Sequence, residues 1–165
     1  MTQEEKKQTI STRIQTIKNN IEALKKKHNI TEPIQILVAT KYATTDEIKL
    51  IYECDLSLFG ENKLQHALEK KHELADHNIN WHFIGHLQTN KVRKAVGNFD
   101  CIQSVDSEKV LSKINDVAAE FGIVQDCLLQ VNSGNDPNKF GFSLEALANK
   151  KDKFLESHNR LMLCW

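Results

Sequence analysis

The chain has 165 residues, 40% hydrophobic and 27% charged, a balance that fits one globular domain with a sizeable core and excludes disordered and fibrous classes. Twenty-two basic residues offset 22 acidic ones, so no net field recruits nucleic acid or an anionic membrane surface. No segment reads as membrane-spanning, the charged amino terminus lacks a signal peptide's apolar stretch, and Cys54, Cys101, Cys127 and Cys164 form no C-x-x-C pair, which predicts a cytoplasmic protein with buried thiols.

The first element is an amphipathic helix over about 4–28, because Ile10, Ile14, Ile17, Ile21 and Leu24 recur at spacings of four and three. Its single stripe predicts packing on the outside of the domain. The run Ile34-Gln-Ile-Leu-Val-Ala-Thr40 follows, apolar enough to predict a strand buried on both faces. It stops at Lys41, just before a helix start at Thr44-Thr-Asp-Glu47, where Thr44 and Glu47 have the spacing of a capping box. The chain then alternates: helix 45–54, strand 56–59, helix 62–76, strand 80–84, helix 89–96, strand 100–105, helix 107–121, strand 125–131, helix 143–156. A last apolar run is Leu161-Met-Leu-Cys-Trp165, and Gly97 and Gly122 fall where helices should end.

Strict β/α alternation argues for a parallel sheet with right-handed crossovers, since parallel neighbours cannot be joined by tight turns. Two architectures fit, an open doubly wound sheet or a (β/α)8 barrel that ends early, because five βα units and a sixth strand fall short of the roughly 250 residues of a full barrel. In either, ligands bind at the carboxyl ends of the strands. Thr40-Lys41, Gly60-Glu61-Asn62, Gly85-His86, Ser104 with Asp106, and Asn132-Ser133-Gly134 occupy those ends. Lys41 stands out, because partial burial would disfavour its ammonium form and prepare the amine for carbonyl chemistry through a Schiff base. Taken alone, a solvated turn lysine explains it as well, and Asn62 could simply cap the next helix.

Rival chemistries lack their signatures. His82 and His86 lie in a strand pattern broken by Gly85, with no glutamate after His82, which argues against a zinc hydrolase. No G-x-x-x-x-G-K-[ST], G-x-G-x-x-G or G-x-S-x-G occurs. The cluster Lys91-Val-Arg93-Lys94 reads as a solvated face, and Lys139 as a loop lysine near the same rim.

Leu37-Val-Ala-Thr-Lys41, Phe59-Gly-Glu-Asn62, Trp81-His-Phe-Ile-Gly-His-Leu-Gln-Thr-Asn-Lys91, Ser104-Val-Asp106 and Gln130-Val-Asn132 with Lys139-Phe-Gly141 together resemble the pyridoxal phosphate homeostasis protein family, in register from about 10 to 156. The resemblance implies a barrel similar to the amino-terminal domain of alanine racemases, holding pyridoxal 5′-phosphate (PLP) with Lys41 at the Schiff-base position. It further implies that Asn62, His82 and Ser104 line the pocket or hold its shape. Family members are thought to store, buffer or deliver PLP through a reversible lysine aldimine, with PLP-dependent apo-enzymes as acceptors, and to turn over no substrate. A PLP-dependent racemase or lyase, and a degenerate barrel fragment that binds no cofactor, are the alternatives.

The sequence departs from the family in three places. Thr40 replaces the usual serine, Tyr42-Ala43 replaces a Thr-Lys-Pro continuation, and the tail from Arg160 lacks the glycine expected before Leu161-Met162. The expectation is therefore an incomplete PLP-binding (β/α)8 barrel over 1–165, a helix over 1–30 followed by βα units over 34–165. Without the glycine-rich phosphate segments of the last units, open edges should favour self-association and low stability.

Overall fold

A computed structural model of the chain describes residues 2–157 and 161–164. In chain order the elements are α1 (Gln3–His28), β1 (Val38–Ala39), α2 (Thr45–Tyr52), β2 (Leu58–Glu61), α3 (Leu64–Glu73) and β3 (Asn80–Phe83). A 3-10 turn (Thr89–Lys91) then leads into α4 (Val92–Ala95), β4 (Cys101–Val105), α5 (Glu108–Phe121), β5 (Gln125–Leu129), α6 (Leu144–Ser157) and β6 (Leu161–Cys164). All five strand pairs are parallel, and the strands stand in sheet order β1-β2-β3-β4-β5-β6. That sequential order separates the two architectures left open by the sequence. A doubly wound sheet reverses direction at a switch point, whereas a barrel adds each strand beside the last. The sheet is an arc of a (β/α) barrel with β1 and β6 at its edges.

Local chemistry sets most boundaries. Thr2 with Glu5 and Thr44 with Glu47 form capping boxes at the starts of α1 and α2, each threonine oxygen taking an amide and each glutamate returning the bond. Gly122, at φ +69°, ends α5 in the left-handed conformation that costs glycine nothing. Strand alternation then sorts side chains by face. Phe59, Trp81, Phe83, Ile102 and Cys127 join Ile48 of α2, Leu64, Ala67 and Leu74 of α3 or its end, Val92 of α4 and Ile114 of α5 in one buried core. The core lies between the sheet and its helices.

Three expectations need correction. The first strand is not buried on both faces: only Val38–Ala39 pair with β2, Ala39 is exposed and Ile34 is 48% exposed. β1 is an edge strand, and an apolar run gives no sign of how many neighbours it will have. The helix expected over 89–96 divides into the 3-10 turn and the single turn of α4. β2 is displaced toward its carboxyl end, which draws Glu61 into the sheet. α1 contributes no fully buried residue, as its outer position predicts, and its Ile10, Ile14 and Ile17 face Ile36, Val38, Ile51 and Leu56 across an apolar gap of 170 Å³. No described helix is long and apolar enough to cross a membrane. Of the tail, Arg160 and Trp165 lie outside the described residues.

Candidate functional site

The carboxyl ends of the strands form one rim, and the sheet register decides which side chains share a face there. Ala39 lies opposite Gly60 and Gly60 opposite His82. These positions alternate with the buried row Phe59, Trp81 and Phe83, so they belong to the concave face, away from the helices. Lys41 and Asn62 each follow the Ala39–Gly60 pair by two residues, just beyond the paired strands. His82 lies on the concave face, whereas Ser104 follows the alternation of Ile102 and is buried.

Lys41 occupies the turn between β1 and α2 and is exposed, so the partial burial expected of it is absent. Its ammonium lies 5.0 Å from the centroid of the Tyr42 ring, and Tyr42 is itself 88% exposed. The residue before it is the opposite. Thr40 is fully buried: its N–H donates to Gly60 O at 2.9 Å and its hydroxyl to Glu61 Oε1 at 2.8 Å. Lys70 Nζ, from α3, donates to both Thr40 O at 2.8 Å and Glu61 Oε1 at 2.6 Å.

Asn62 is half-buried, and the cap of α3 is Lys63 with no side-chain hydrogen bond, so Asn62 is not a helix cap. Its amide has no hydrogen-bond partner among the described residues. Behind it the chain is tightly constrained, because a Cβ on Gly85 would stand 2.1 Å from Asn62 O. Glycine alone lets the ends of β2 and β3 approach this closely. Ser104 Oγ donates to Gly85 O and fastens β4 to the same point.

His82 is half-buried on the concave face, where Gln103 Nε2 donates to its Nδ1 at 2.7 Å and so leaves the ring proton on Nε2. Burial pushes its pKa down, and the opposing pull of Asp100 and Asp126 does not overcome this. Farther along the rim, His86 Nδ1 meets Asp106 Oδ2 at 2.8 Å and its ring stacks on Phe140 at 3.8 Å and 15°. This stack ties the loop after β5 to the loops after β3 and β4. Lys139, read as a loop lysine near the same rim, is exposed and lies 3.7 Å from Asp136.

Lys70 escaped the sequence reading altogether. A signal existed: α3 buries Leu64 and Ala67, Leu74 follows in the same stripe, and Lys70 falls at the next inward position after Ala67. A lysine inside an apolar stripe calls for a buried partner.

A family model described as "Alanine racemase, N-terminal domain" matches residues 12–163. The pyridoxal phosphate homeostasis protein of Aquifex aeolicus is 38% identical over 125 residues, covering 76% of this chain and 55% of that protein. Its counterpart in Helicobacter pylori is 32% identical over 152 residues, 92% of this chain and 68% of the relative. PipY of Synechococcus elongatus PCC7942, solved without PLP, superposes with TM-score 0.80 at 30% identity, covering 93% of this chain and 67% of PipY. The same protein with PLP bound gives TM-score 0.71 at 29% identity, over 86% and 66% of the two chains. The chain thus spans between about half and two thirds of the length of these relatives. A sequential parallel arc, a lysine in the turn after its first strand and a match over nearly the whole chain all agree: the chain belongs to the alanine racemase N-terminal domain family and, within it, to the pyridoxal phosphate homeostasis proteins.

Proposed function

We propose that this chain binds PLP through Lys41 and serves to store, buffer or deliver the cofactor in the cytoplasm, without turning over a substrate. When bound, PLP supplies an aldehyde carbon that takes up a primary amine with loss of one water, a step that reverses on hydration. The observation that carries the reading is the contrast at β1: an exposed amine on Lys41 directly after a fully buried, fully hydrogen-bonded Thr40. Such an amine meets a soluble aldehyde and releases it again. The structure of PipY with PLP bound supports the same reading.

The residues present fit the cofactor's aldehyde and ring ends. Lys41 supplies the amine, and the unpaired amide of Asn62 and the neutral imidazole of His82 share its face. Ser104 acts from behind, holding Gly85 in place. Self-association through the edge strands β1 and β6 belongs to the same proposal.

Borohydride reduction of a mixture with PLP, followed by peptide mass mapping, tests this directly, with Lys41→Ala as control. A saturable adduct confined to Lys41 is expected. Labelling scattered over surface lysines would overturn the reading, and amino-acid turnover dependent on PLP and Lys41 would overturn its non-catalytic part.

A further inference from the structure

We propose that Glu61 and Lys70 are positioning residues for Lys41: they clamp the turn between β1 and α2 at Thr40, so that the root of the lysine is fixed while its amine stays in solvent. The functional meaning of the clamp rests on the cofactor reading above; its geometry does not.

Every polar group of Thr40 is engaged. The N–H and hydroxyl donate to Gly60 O and Glu61 Oε1, and the carbonyl accepts both from Ala43 N–H at 2.9 Å and from Lys70 Nζ at 2.8 Å. The Glu61 side chain is 1% exposed and that of Lys70 14%, so this is a desolvated ion pair between β2 and α3. Burying two charges is costly, and a hydrophobic pair would hold α3 to the sheet as well. What an apolar pair cannot do is hold a backbone carbonyl. Lys70 spends one of its donors on Thr40 O, one bond from Lys41, and Glu61 shares one oxygen between Lys70 and the Thr40 hydroxyl. Glu61 Oε2 has no partner among the described residues. The pair is therefore arranged around Thr40 and not around saturating its own carboxylate. A residue carrying a reactive amine gains from this, because each degree of freedom removed from the backbone is one that adduct formation need not freeze.

Two readouts on wild type, Lys70→Met, Lys70→Arg and Glu61→Gln test the clamp. The first is hydrogen exchange at the Ala43 amide in the chain without ligand, since that amide bonds Thr40 O. Losing the charge-assisted bond in Lys70→Met should speed this exchange about tenfold while amides of β4 and α5 keep their rates. The second is the rate of PLP labelling at Lys41 relative to exposed Lys113 in the same sample. The ratio should fall by a similar factor in Lys70→Met and recover in Lys70→Arg; a merely structural role would lower the melting temperature and leave the ratio alone. If Lys70→Met does not fold, the isosteric Glu61→Gln carries the test with the same direction and a smaller change. Unchanged Ala43 exchange in a folded variant overturns the clamp, as does equal loss of labelling at Lys41 and Lys113. A wild-type chain that takes no label at Lys41 overturns the cofactor reading instead, and Ala43 exchange then decides the clamp by itself.

Discussion

The same strands present two different surfaces. Toward the helices, Phe59, Trp81, Phe83, Ile102 and Cys127 are almost completely buried, whereas their neighbours in alternation, Leu58, His82, Gln103 and Leu128, are only half-buried on the concave side. One face packs like a domain core. The other carries polar and titratable groups, and at its upper edge Lys41 and Asn62. In a closed barrel the inner face is filled by layers of side chains from alternate strands. In the six described strands the helix-covered face carries the packing and the concave face carries polar groups. A fold can divide labour in this way because the period of a strand is two: adjacent residues answer to different constraints.

Cutting into each face in turn gives the sharpest contrast. Phe83, 2% exposed, packs against Phe99 with ring centroids 5.2 Å apart, and Phe83→Ala should cost about 3–5 kcal/mol. Leu128→Ala on the concave side should cost only about 1–2 kcal/mol, since part of that side chain is already in water. Denaturant midpoints of the two variants check this. Equal losses would mean that the concave face is packed in solution, by self-association or by some other cover. Next in size is Gly85→Ala, where the added carbon meets backbone at Asn62 O and has no flexible side chain to displace. Overpacking there should cost about 1–3 kcal/mol and lower PLP labelling at Lys41 through the displaced end of β2. Gly134→Ala is its control, because nothing lies within 4 Å of the added carbon there, and it should stay within about 0.5 kcal/mol of wild type.

Much of this was legible in the sequence for local reasons. The Thr44–Glu47 capping box and Gly122 mark helix ends through bonds made within a few residues. The alternation of apolar runs with amphipathic stretches sufficed for a parallel sheet, and runs such as Trp81–Lys91 for the family. What depended on distant chain was not legible. The apolar run 34–40 looks like a central strand but lies at an edge, because the number of its neighbours is set elsewhere. Lys41 looked like a half-buried amine for the same reason. Thr40, not Lys41, takes the buried position, and its partner Lys70 is 30 residues away on a helix whose stripe accommodates it. Asn62 and His82 followed from the resemblance alone and Lys41 from its place at a strand end; the register pairs Gly60 with His82 and stops two residues short of Lys41.

The smallest effect probes the concave face where it is half in water. His82 accepts a hydrogen bond at Nδ1 from Gln103, and protonating that nitrogen would set two donors against each other. Burial already holds its folded pKa below the ordinary value of about 6.5, so the unfolded chain takes the proton first as pH falls. Stability should thus be level above about pH 6.5, decline as pH drops below it, and level off once the folded imidazole also titrates. The carboxylates are shared by a His82→Asn variant, so subtracting its denaturant midpoints, measured across the same pH series, isolates the histidine. The wild type should lose its advantage below about pH 6.5, and only modestly, because solvent screens a half-exposed ring. If the wild type instead gained on the variant as pH fell, Asp100 and Asp126 would be holding the imidazole charged. The concave face would then be governed by its carboxylates, and a cationic His82, not a neutral one, would face the proposed PLP site.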